Sequence, residues 1–72
     1  MVEGGFIIAS DINFNILILS EQCEILQSLP FTKKVVDAVA DKRHIFIGIE
    51  MCQVLVMAKN SLIIVEKIYF PN

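Results

Sequence analysis

A chain of 72 residues has room for one domain, residues 1–72, and for only a small core. Apolar side chains make up 56% of it and charged ones 19%, more apolar surface than so small an interior hides, so the excess is expected in an interface. The net charge of −2, with basic residues scattered apart from Lys33-Lys34 and Lys42-Arg43, argues against a nucleic-acid partner, and apolar runs of four or five residues are too short to span a membrane.

The first elements are Phe6-Ile7-Ile8-Ala9-Ser10 and Phe14-Asn15-Ile16-Leu17-Ile18-Leu19, two β-branched and aromatic runs around Asp11-Ile12-Asn13. Asp11 and Asn13 supply turn chemistry, and the whole reads as a β-hairpin. Gly4-Gly5 ahead of it reads as a flexible lead-in. No basic stretch precedes an apolar run, and Glu3 and Asp11 interrupt the N-terminal segment, so no signal peptide is expected. The expected setting is the cytosol or the cytosolic face of an organelle.

Residues Glu21 to Leu29 fit a strand, an early helix start or a packed loop equally. From Pro30 to Lys42, Phe31, Val35, Ala38 and Val39 recur at i, i+4, i+7 and i+8, the stripe of an amphipathic helix. Pro30 suits a first helical turn, and Lys42, Arg43 and His44 suit the negative end of its dipole. His44–Ile49, Val54–Ala58 and Leu62–Ile68 follow as three strands of a meander, separated by Glu50–Gln53 and Lys59–Ser61. The expected fold is α+β: strand, strand, helix, strand, strand, strand, with one amphipathic helix on an antiparallel sheet. The later strands are apolar on both sides, so both faces of the sheet need cover, and one helix covers only one.

No catalytic constellation stands out. The chain lacks a phosphate-binding glycine motif, and His44 is its single histidine. Cys23, Cys52 and His44 lack zinc-ligand spacing, and two thiols allow one bridge at most. Asp11 and Glu50 follow strands, where carboxylates usually serve turns rather than acid–base chemistry. Cys52 suits a small core or turn residue, and Met51 and Met57 suit core packing or an adaptable contact surface. Lys33, Lys34, Asp37, Asp41 and Lys42 fit a solvated face of the expected helix, or a rim that guides a partner. The chain is therefore expected to be non-enzymatic, without cofactor or metal.

Two resemblances sharpen this. Gly5-Phe6-Ile7-Ile8-Ala9-Ser10-Asp11 leading into Asn15-Ile16-Leu17, with the closing runs Val54–Lys59 and Leu62–Lys67, resembles the roadblock family of dynein and Ragulator subunits. That resemblance implies a scaffold subunit that forms homo- or heterodimers through sheet and helix, as a platform for small GTPases or motor subunits. It implies Phe31, Val35, Ala38, Val39, Ile45, Ile47 and Ile49 as the partner interface. The alternative is a pair of β-propeller blades completing the β structure of a partner. At an offset of 39 residues Leu26 meets Val65, Leu29 meets Ile68, Phe31 meets Phe70 and Ile8 meets Ile47, near the WD-type repeat of roughly 40–45 residues. Asn15–Leu19, Glu24–Leu29 and Val35–Ala40 would then be blade strands. The 30–42 segment separates the two: helix for the first, strand for the second.

Overall fold

The computed structural model describes residues 2–71. Among them there is no helix, and eight strands follow in order: β1 Val2–Glu3, β2 Phe6–Ser10, β3 Ile16–Ser20, β4 Ile25–Leu29, β5 Val35–Ala40, β6 His44–Ile49, β7 Gln53–Ala58 and β8 Ile63–Tyr69. They form two antiparallel meanders, β1-β2-β3-β4 and β5-β6-β7-β8. The α+β expectation is overturned: the chain is all-β, with two sheets in place of one sheet and a helix.

The 30–42 segment shows why. It is a link followed by β5, and its three valines, Val35, Val36 and Val39, are β-branched and favour the extended chain. Its helix-like spacing comes from a β-bulge. Val35 pairs with Ile49 and Asp37 with Gly48, so Val36 is the extra residue in the ladder. That insertion puts Val35, Ala38 and Ala40 on one face, an i, i+3 step that imitates helical periodicity. Within 21–29, the chain turns at 21–24 and then forms β4. Gly4 and Gly5 are no loose lead-in; both have positive φ, at 57° and 86°, and form the tight β1–β2 turn.

The sheets stack face to face around one core. Ile8, Ile16 and Ile18 of the first meet Ala38, Ile45, Ile47, Ile49, Leu55 and Met57 of the second. Two hydrogen bonds tie opposite ends of the stack: Val35 N–H donates to Ser10 Oγ at 2.8 Å, and Gln27 Nε2 donates to Leu62 O at 3.2 Å. Gly4 lies against Ala40 at the end of β5, and Ser10 against Val35 at its start. β1 therefore runs alongside β5 in the same direction, and strand order and direction are the same in both sheets.

The second sheet repeats the first in register as well as in order. Ile8 pairs with Ile18 and Ser10 with Ile16; 38 residues on, Phe46 pairs with Val56 and Gly48 with Val54. Ile16 pairs with Leu29 and Ile18 with Gln27; Val54 pairs with Ile68 and Val56 with Glu66, the β8 partners lying 39 residues on. The irregularity between Ile18 and Leu19 recurs between Val56 and Met57. So do the left-handed turn residues, Phe14 with Cys52 and Cys23 with Leu62. The offset of 39 thus holds for β4 onto β8, Leu29 onto Ile68 included, whereas the counterpart of Ile8 is Phe46 and not Ile47.

Candidate functional site

Two sheets of the same strand order and direction, stacked one on the other, meet by opposite faces. The first sheet's inward face is its front, carrying Phe6, Ile8, Ile16, Ile18 and Leu29. The second sheet's inward face is its back, carrying Ile45, Ile47, Leu55, Met57 and Ile64. Strand alternation leaves a back face on the first sheet and a front face on the second, both pointing outward.

Both outward faces are apolar. On the first sheet, Ile7, Ala9, Leu17 and Leu19 are half-buried by neighbours in the sheet, and Ile25 at the β4 edge is 63% exposed. On the second, Phe46, Val54 and Ile68 are half-buried, Val39 is 56% exposed and Ile63 is 57% exposed. Gly48 lacks a side chain there, and a shallow groove of about 150 Å³ opens above it between Asp37, Val39, Phe46 and Val54. The molecule measures 37 × 29 × 17 Å. Its thin dimension accommodates two sheets about 10 Å apart, with no third layer over either outer face.

Six of the seven residues expected at a partner interface face the chain's own first sheet. Ala38, Ile45, Ile47 and Ile49 are buried, with Phe31 and Val35 packed against them. Val39 alone points outward. The residues of the outer face of the first sheet, Leu17 and Leu19 above all, were absent from that set. Their signal was present in the unbroken apolar run Ile16–Leu19, which has no wet side.

The polar candidates fall in turns. Asp11 Oδ1 accepts the N–H groups of Asn13 and Asn15 at 2.8 and 2.9 Å, and its Oδ2 accepts Asn15 Nδ2 at 2.9 Å. The Asn15 side-chain bond is the main influence holding the Asp11 carboxyl below its ordinary pKa; desolvation opposes it, and the backbone bonds from Asn15 and Asn13 add to the lowering. Asp41 Oδ1 accepts the N–H groups of Arg43 and His44 at 2.8 and 2.7 Å, and these bonds lower its pKa likewise. His44 Nδ1 is 3.7 Å from the same oxygen. Glu50 Oε1 accepts the Lys34 N–H at 3.2 Å and so ties the β6–β7 turn to the link before β5. Cys23 and Cys52 carry exposed thiols in separate turns. Met57 is buried and Met51 exposed. The polar set expected along a helix, Lys33, Lys34, Asp37, Asp41 and Lys42, is spread instead over the link, β5 and the following turn. No group of three His, Cys, Asp or Glu residues placed to hold a metal occurs among the described residues.

Comparison with protein-family models, with curated proteins and with solved structures finds no match. Among the described residues no helix is long and apolar enough to cross a membrane.

Proposed function

We propose that this chain is a non-catalytic structural subunit that binds protein by stacking its outer sheet faces on further β structure, as blades stack in a β-propeller. The observation that carries the reading is the pair of apolar outer faces on a molecule only two sheets thick. The platform implied by the roadblock resemblance rests on a helix whose residues here form β5, so the propeller-like reading takes its place. The setting that fits is the cytosol or the cytosolic face of an organelle, since two cysteines in separate turns supply no disulfide framework.

The test is recovery of the partner on tagged wild-type chain and on two variants, Leu17→Glu for the first outer face and Val39→Glu for the second. Loss of a specific partner from variants whose circular dichroism still shows the wild-type strand spectrum supports the reading. A partner retained by both variants overturns it, as does a turnover that disappears when His44 and Cys52 are replaced.

A further inference from the structure

The two outward faces are counterparts of the two faces already packed inside the chain. Through the 38- and 39-residue equivalence, Ile7, Ala9, Leu17, Leu19 and Ile25 on the first sheet's outer back correspond to Ile45, Ile47, Leu55, Met57 and Ile64 on the second sheet's inner back. The second set is the half of the core that the first sheet covers. Conversely, Phe46, Gly48, Val54, Val56 and Ile68 on the outer front correspond to Ile8, Ser10, Ile16, Ile18 and Leu29 on the inner front. At these positions apolar stands opposite apolar, with small Ser10 and Gly48 at the same place; Phe6 opposite His44 and Gln27 opposite Glu66 are the exceptions.

From this we infer that the occupant of the outer faces is a second copy of this chain, joined head to tail, the front of its second sheet on the back of the next copy's first sheet. The inference rests on the face-stacking function proposed above and names its partner. One chain carries both mating surfaces, so copies alone are sufficient to cover every face. The contact is heterologous, and a rotation from each sheet to the next, as between propeller blades, closes the copies into a ring. Propellers of four to eight blades set the ring at roughly two to four copies of a two-sheet chain. Charge does not oppose the contact. Across the rows in register, the outer front presents Asp37, Glu66 and His44 at its margin, and the outer back presents Ser28.

The experiment is light scattering after size exclusion on purified wild type, Leu17→Glu, Val39→Glu and a 1:1 mixture of the two variants. Both substitutions introduce the same charge, so the two damaged faces cannot rescue each other. Wild type is expected as one discrete species of two to four times the 8.1 kDa chain mass, within the blade numbers known for closed rings. Each variant alone is expected at the monomer mass. The mixture is expected at twice that mass, because one intact front then meets one intact back and no further contact is possible. The two-chain species in the mixture also shows that both variants fold; if it is missing, Ile25→Gln and Ile63→Gln repeat the test at the exposed margins of the two faces. A monomeric wild type overturns the inference. So does a homodimer formed by one variant alone, which means like faces pair, and so does a polymer growing without limit, which means the rotation does not close. A monomer that still holds another protein through Leu17 and Val39 removes the second copy and leaves the proposed function standing.

Discussion

Gly4 turns the chain between β1 and β2 with φ at 57°, and a Cβ built there lies 2.8 Å from Ala40 Cβ and 2.9 Å from the end of Lys59. The Lys59 tip can move aside, whereas Ala40 is fixed in β5. Gly4→Ala therefore combines left-handed strain with a contact between the two sheets. It is expected to destabilise the fold by about 1 kcal/mol or more, read from urea unfolding. Gly48 has ordinary backbone geometry and a Cβ there meets Asp37 at ordinary contact distance, 3.4 Å. Gly48→Ala should leave monomer stability near wild type and act, if anywhere, on the groove over the outer face. Asp11 and Asp41 give the acid response its sign. Their folded pKa values lie below the ordinary carboxylate value of about 3.9. Their contribution is present above that value and is lost as pH falls through the lower folded values. Asp41 is exposed and Asp11 is half-buried in a surface turn, so solvent screening keeps the effect small. Thermal midpoints should fall below about pH 4 and fall less in the Asp11→Ala, Asp41→Ala double variant, whose midpoint at neutral pH is already lower.

At the scale of the element, Ile18 in β3 and Ile47 in β6 are fully buried from opposite sides of one core. Either change to Ala should cost about 2–5 kcal/mol in urea unfolding, whereas Val36→Ala, at the exposed bulge, should cost a small fraction of that. The strands were legible in the sequence because β-branched runs such as Phe6–Ser10 and His44–Ile49 admit little else. β5 was legible only through the 39-residue repeat, which marks Val35–Ala40 as a strand; periodicity pointed to a helix because the inserted Val36 breaks period-two alternation into a helical-looking step. The repeat was legible at Leu26, Leu29 and their counterparts. It slipped by one residue at Ile8 because the chain between the paired Met57 and Ile64 is one residue longer than that between the paired Leu19 and Ile25, a difference seen only once the registers are aligned. The outer face around Leu17 was hidden for a related reason: an apolar run without alternation does not show which of its sides the chain covers itself.

For the molecule as a whole, 72 residues in two layers leave much of their apolar surface on the outside. A sandwich with both outer faces bare is marginal as a monomer. In a closed ring each copy buries one outer front and one outer back, so assembly and folding are thermodynamically coupled. Any process that binds the folded state alone raises its apparent stability by mass action. For a small ring, a tenfold rise in chain concentration should add roughly 1 kcal/mol per chain, and a domain of this size gains about 4–8 °C in thermal midpoint per kcal/mol. Wild type should therefore melt several degrees higher at tenfold concentration, measured by far-ultraviolet circular dichroism. Leu17→Glu should melt at one temperature throughout, below wild type, because its back face accepts no neighbour. The contact is apolar, so the midpoint should also be nearly insensitive to salt at moderate ionic strength, where a charge-driven assembly would weaken. A wild-type midpoint independent of concentration would separate folding from assembly and return the outer faces to solvent.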